Sequence, residues 1–200
     1  MGKIQHPLPV KLIVGMLASI PELFSETEKE LTALFGDIDA RSEIFHFDWT
    51  GYYDKEMGSP IYRRFLSFAD LIEAPAIADA KIAANELESS IAEWAAKSAK
   101  YPGVRRPVNL DPGYMEQSKI VLASTKNFFH RILISRGIYA EVTLHYQDKQ
   151  WKSFPWTFPD YGSEKYHQFF TALRENYRRQ LSAAGFGIRI PKKPHRRNAD

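Results

Sequence analysis

The 200-residue chain contains no cysteine. This removes disulfides, thiolate metal ligands and cysteine nucleophiles together, and it fits a reducing compartment. No run of about 18 apolar residues occurs, so no segment has the length of a membrane-spanning helix. The opening "MGKIQHPLPVKLIVGMLASI" carries a short apolar run without a signal-peptide cleavage pattern, and His6 stands where a myristoylation motif needs Ser or Thr. Also missing are the G-x-x-x-x-G-K-[ST] phosphate loop, the G-x-G-x-x-G dinucleotide fingerprint, the G-x-S-x-G nucleophile elbow and the H-E-x-x-H zinc helix. These absences point to a soluble, cytoplasmic, non-membrane protein that follows none of those chemical templates.

What is present resembles an ordinary globular chain: 44% hydrophobic and 26% charged residues. The length suits one domain, expected over 1–185, followed by a basic tail over 186–200. The net charge of +3 is unevenly placed. From Phe186 onward Arg189, Lys192, Lys193, Arg196 and Arg197 face Asp200 alone, a net +4, which leaves −1 on the first 185 residues. So neutral a body lacks the broad electropositive face of a dedicated nucleic-acid binder. The tail suits a solvated, disordered end or nonspecific phosphate contact.

Periodicity gives the elements. Residues 11–18 form a short branched apolar run, a buried strand. Residues 19–36 carry helix punctuation: Ser19 before Pro21, then Leu23, Phe24, Leu31, Leu34 and Phe35 along one side, then Gly36. Residues 42–49 alternate, with Phe45, Phe47 and Trp49 on one face and Ile44, His46 and Asp48 on the other. The opening is therefore strand–helix–strand. Another strand is expected over 61–68, where Arg63 and Arg64 point to opposite faces, so at most one enters a common site. In the helix over 74–100, Ile77, Ala80, Ala84, Leu87, Ile91 and Trp94 make one apolar stripe, bordered by a polar seam of Lys81, Asn85 and Glu88. A short strand over 105–110, a hairpin over 130–146 around "SRG", an aromatic loop over 151–162 with room for one edge strand, and a final helix from Ser163 to Gly185 complete the chain. The apolar face of that helix is Tyr166, Phe169, Phe170, Leu173, Tyr177 and Leu181. The fold class is α+β: a single domain with a mixed or antiparallel sheet, helices packed on it and a C-terminal helix.

The stretch "NLDPGY" at 109–114 has two readings. Asp111 and Pro112 fit an N-cap and first turn, which makes 112–124 a helix. The alternative is a site. Asn109 and Tyr114 lie outside what a cap needs, and "STKNFFHR" at 124–131 gathers hydroxyls, Lys, His and Arg before a strand. Hydroxyls, backbone amides and cations in such a loop suit a phosphate or carboxylate. On that reading Lys119, Ser124, Thr125, Lys126 and Arg131 hold an anion, and Asn109, Asp111 and Tyr114 position the ligand. His46 and Asp48, two apart on one strand face, together with His130 and Glu141, are the candidates for proton transfer or a metal.

The segments "KLIVGMLAS", "FHFDWTGYYDKEMGSPIYRRFLSF", "KIAANELE", "RRPVNLDPGYMEQSKIVLASTKNFFHRI", "GIYAEVTLHY" and "FPWTFPDY" together resemble the DUF4416 family of bacterial and archaeal proteins, over roughly residues 10–180. The run from Asn109 to Arg131 is the most specific part. The family has no assigned function. Some members carry a GTP-binding label, for which this chain offers no phosphate loop. The resemblance implies that the polar segments belong to one design and names no catalytic residue.

The leading expectation is a protein that binds an anionic small molecule, phosphorylated or nucleotide-like, with enzymatic activity undecided and no cofactor specified. The alternatives are an RNA- or ribonucleoprotein-binding module that uses the basic tail and the aromatics Trp151, Trp156, Phe158 and Tyr161, or a protein-interaction scaffold anchored on those same aromatics.

Overall fold

The computed structural model describes residues 2–4, 6–98, 101 and 104–186. Apart from Phe186, the expected basic tail, and with it the RNA contact assigned to it, lies outside the described residues. The fold is α+β: nine antiparallel strands form one open sheet, with helices on both faces.

Strand β1 (Val10–Ala18) is buried along its whole length, as the apolar run Leu12–Ala18 requires when helices cover both sides, and Lys11 is buried with its ammonium on Asp39, the Phe68 carbonyl and Gln180. Helix α1 (Glu22–Phe35) follows, then β2 (Ile38–Arg41), giving the expected strand–helix–strand opening. The alternating segment 42–49 contributes only β3 (Phe45–Phe47), and a one-turn helix α2 (Asp54–Met57) follows it. Strand β4 (Ile61–Ile72) runs four residues beyond its expected end. Helix α3 (Ile77–Lys97) buries the predicted stripe except Trp94, which is half-exposed at the helix end and packs at a tilt against Tyr101. The hairpin β7 (Ile132–Ser135) and β8 (Ile138–Gln147), the short β9 (Gln150–Ser153) and helix α4 (Glu164–Ala183) follow as read.

The helix reading of 112–124 is wrong. Asp111 and Pro112 lie inside β5 (Val108–Met115), which turns tightly through the Glu116 N–H···O=C Lys119 bond into β6 (Lys119–Ser124). The strand order is β2-β4-β1-β5-β6-β8-β7. β5 pairs with β1 over all eight residues but with β6 only from Gly113 to Met115. Beyond the Gly113–Leu122 pair the two strands part. By the alternation of a strand, Pro112 turns its missing N–H to that parting side, as Leu110 turns its own backbone groups. The Leu110 groups are satisfied from α3 instead: Glu88 Oε1 accepts its N–H at 2.8 Å and Lys81 Nζ donates to its carbonyl at 2.7 Å. Two side chains of the predicted polar seam thus replace the missing strand, as buried backbone demands.

At the point of parting the strands approach very closely. A Cβ on Gly113 would lie 2.5 Å from the Val121 carbonyl oxygen and 2.7 Å from Leu122 Cδ2. Backbone cannot yield as a flexible side chain does, so Gly113→Ala is expected to cost about 1–3 kcal/mol, read as a lowered urea midpoint with an unchanged m-value.

The core lies in two layers. Leu12, Val14, Met16, Leu66 and Phe68 meet α1 and α3 on one face of the sheet. Ile13, Phe65, Met115, Trp151 and Tyr161 meet Tyr166, Phe170 and Leu173 of α4 on the other. Trp151 and Tyr161 are therefore core residues, 5% and 2% exposed, and the expectation that they stand free to stack on bases is corrected.

Candidate functional site

Where β5 and β6 part, the sheet opens into a cleft of about 530 Å³. One wall is Asn109 and Asp111 with Lys81 and Asn85 of α3. The opposite wall is Ser124, Thr125, Lys126 and Arg131, with Glu141 of β8. Arg63, Asp160 and Tyr161 line it further in, and Trp49, Tyr52 and Phe158 contribute half-exposed to exposed rings. A larger hollow of about 910 Å³ lies elsewhere, between residues 74–79 and 133–136. Its charged lining side chains, Arg136 and Asp79, pair with each other, so the convergence of polar groups belongs to the smaller cleft.

Arg63 is 4% exposed. Its Nη2 lies 3.2 Å from Asp160 Oδ2 and its Nη1 3.5 Å from Asp111 Oδ2, so Asp160 is the closer partner. The rings of Phe47, Phe65 and Tyr161 surround the guanidinium at 5.3–5.8 Å. Burial works against its charge, but Asp160, Tyr161 and Asp111 outweigh burial and raise its pKa further. Asp160 is held the other way: burial pushes its carboxyl up, and the attraction of Arg63 recovers only part of that. Asn109 Nδ2 donates to Asp111 Oδ2 at 2.7 Å, and Arg106 Nη2 donates to Asn109 Oδ1 at 2.5 Å and to Glu88 Oε2 at 3.0 Å. Beside Arg106 lies Tyr53, whose hydroxyl is pushed up to about 12 by burial and then by Asp111.

On the far wall Glu141, 3% exposed, is the anchor. Its Oε2 accepts from Arg131 Nε at 2.7 Å and meets His130 Nε2 at 3.0 Å, while Thr143 Oγ1 donates to Oε1 at 3.3 Å. Arg131 Nη1 bonds Ser124 Oγ and the Lys126 carbonyl, both at 3.0 Å, and its Nη2 has no partner among the described residues. His130 stacks on Trp156, 5.3 Å away at 8°. Lys126 Nζ donates to Tyr52 Oη at 3.0 Å and lies over that ring; no carboxylate of the described residues pairs with it.

The structure thus brings together Asn109, Asp111, Ser124, Thr125, Lys126, Arg131 and Glu141. His130 stands behind Glu141 and does not line the cleft. Tyr114 and Lys119 lie apart. Tyr114 packs with the α1/α3 face of the sheet, and Lys119 pairs with Glu116 at 2.9 Å at the hairpin's turn, the end opposite the cleft. His46 on β3 and Asp48, one residue past its end, form an exposed pair of their own, 3.7 Å apart. No three His, Cys, Asp or Glu side chains among the described residues cluster to hold a metal ion. Arg63 enters the cleft while Arg64 turns to Glu28 at 2.9 Å, in keeping with their opposite faces. Sequence reading missed Asp160, Arg106 and Tyr53: they lie in or next to segments read as loop or short strand, and no spacing to the other site residues marks them.

An α+β sheet domain with a charged, aromatic-rimmed cleft at a strand parting is the class that fold and site define. The chain belongs to the DUF4416 family, a domain of unknown function, whose model matches residues 8–177. No curated protein and no solved structure matches it. No described helix is long and apolar enough to cross a membrane.

Proposed function

We propose that the cleft binds an anionic small molecule, phosphorylated or nucleotide-like, on the wall formed by Ser124, Thr125, Lys126 and Arg131. The observation that carries this reading is an imbalance between cations. Arg63, Lys81, Arg106 and Arg131 each have a carboxylate within 4 Å. Lys126 has none among the described residues, and it lines the cleft with the hydroxyl residues Ser124 and Thr125 and with Arg131, whose Nη2 has no partner among those residues either. Such a grouping matches a phosphate, which takes charge-assisted bonds from Lys and Arg and ordinary ones from hydroxyls. The rings of Trp49, Tyr52 and Phe158 give the cleft apolar surface for the rest of the ligand.

The RNA alternative loses two of its four stacking rings to the core. The scaffold reading moves to a different surface, the exposed Phe128 and Phe129 of the loop before β7 and Ile132 and Leu133 of β7 itself, and the polar cleft beside it favours ligand binding.

Thermal unfolding against a panel of nucleotides and phosphorylated metabolites tests the proposal. A true ligand at about 100 times its Kd adds roughly 2.7 kcal/mol, a shift of about 5–10 °C for a domain this size. Lys126→Ala, at an exposed position, is expected to leave the melting temperature of the free protein unchanged and to weaken the ligand about tenfold or more, the loss of one charge-assisted bond. A flat panel, or a ligand indifferent to Lys126, would reject the anion site.

A further inference from the structure

The wall facing the anion arm is furnished for a different chemical group. Asp111 Oδ2 is engaged by Asn109 Nδ2 at 2.7 Å, with Arg63 Nη1 at 3.5 Å. Its Oδ1 accepts no hydrogen bond among the described residues, since Lys81 Nζ stands 3.8 Å away, beyond bonding distance. The side chain is 29% exposed and opens on the cleft. Asn85 lines the same wall, one turn after Lys81 and one before Glu88, the two residues that reach Leu110. Its side-chain amide has no hydrogen-bond partner among the described residues. A carboxylate oxygen and an amide on one cleft, both without partners among the described residues, present acceptors and donors together and call for a group that can both donate and accept.

The surrounding charge decides which group. Arg63 and Lys81 lie within 3.8 Å of the Asp111 carboxylate, and Arg106 holds its neighbour Asn109. Arg63 and Arg106 are balanced by Asp160 and Glu88. A ligand ammonium bonding to Oδ1 would nevertheless come close to Lys81 Nζ, 3.8 Å from that oxygen, and compete with it for the same carboxylate in a partly desolvated cleft, where like charges repel strongly. A hydroxyl donates equally well and carries no such penalty. Neighbouring hydroxyls can give one hydrogen to Oδ1 and take another from the Asn85 amide.

Resting on the anion reading of the same cleft, we infer that the ligand is a ribose phosphate or a closely related phosphorylated polyol. Its hydroxyls are held by Asp111 Oδ1 and Asn85, and its phosphate by Lys126, Arg131 and Ser124. A nucleoside phosphate satisfies the same chemistry, with its base on the aromatic rim.

Calorimetric titration of the full chain with ribose 5-phosphate and with methyl phosphate, the same anion without hydroxyls, tests this. Ribose 5-phosphate is expected to bind at least tenfold more tightly. Asn85→Ala removes a side chain with no hydrogen-bond partner among the described residues, so the fold should stand, as a melting curve will verify. That variant should lose about five- to tenfold in ribose 5-phosphate affinity, the worth of one neutral hydrogen bond, and keep its affinity for methyl phosphate. Asp111→Asn, which alters the carboxylate itself, should narrow the same gap between the two probes. Equal affinity for both probes, lost in Lys126→Ala, would overturn the hydroxyl site and leave the anion site standing. Binding of neither probe would overturn both.

Discussion

Arg63→Ala is expected to lower the unfolding free energy by about 3–5 kcal/mol, the range seen when one partner of a buried ion pair is removed. The size follows from what remains. Asp160, 2% exposed, loses its closest cation at 3.2 Å, and Asp111 loses its own at 3.5 Å, while the space inside the Phe47, Phe65 and Tyr161 rings is left unfilled. Urea denaturation at neutral pH measures the loss. Its pH dependence separates the charge effect from the cavity. Asp160 already has a raised pKa in the folded protein, because burial outweighs Arg63. A carboxyl whose folded pKa exceeds its unfolded value contributes stability when protonated, and that contribution is lost as the pH rises through the folded pKa. Without Arg63 the folded pKa climbs further and the effect grows. The gap between variant and wild type should therefore shrink as the pH falls from neutrality toward the ordinary carboxylate value of about 4. A gap constant across that window would assign the loss to packing alone.

Glu141→Ala is expected to cost about 3 kcal/mol, at the lower end of the same range, because the Arg131 and His130 side chains it strands are 12% and 8% exposed and Arg131, which lines the cleft, gains some solvation there. Urea denaturation reads this loss as well. Its second effect falls on the site. Arg131 is held by Glu141 at 2.7 Å and by Ser124 and the Lys126 carbonyl at 3.0 Å each. With the carboxylate gone, a ligand must itself order the guanidinium, at about 0.5–1.5 kcal/mol, so methyl phosphate should bind roughly two- to tenfold more weakly. Glu141→Gln keeps an acceptor for Arg131 Nε and should recover part of both losses. Glu141 then acts as a positioning residue, since its carboxylate is occupied by side chains of the protein itself.

Much of the fold was legible because local pattern and tertiary structure agree. The α3 stripe, the buried run of β1 and the α4 face each repeat at the period of their element, and burial follows that repeat. The stretch from Asp111 to Ser124 was the exception. Asp-Pro is as good a helix start as any, and nothing local shows that Pro112 sits where β5 has lost β6 as a neighbour and needs no N–H. Once that stretch is a strand, alternation alone separates Tyr114 from Asn109 and Asp111.

By itself, the sequence determined the α+β class, the order of the major elements, the opposite faces of Arg63 and Arg64, and the polar seam of Lys81, Asn85 and Glu88. These depend on residues three or four apart in a helix, or two apart in a strand, and the chain states such spacings directly. Only the tertiary structure decided that His46 and Asp48 stay outside the cleft, that Tyr161 belongs to the core, and that Asp160 meets Arg63 across 97 positions. Those facts depend on where a nine-stranded sheet opens between β5 and β6. That opening is set by pairing between distant segments, by the close approach at Gly113 and by two α3 side chains that take the place of a strand.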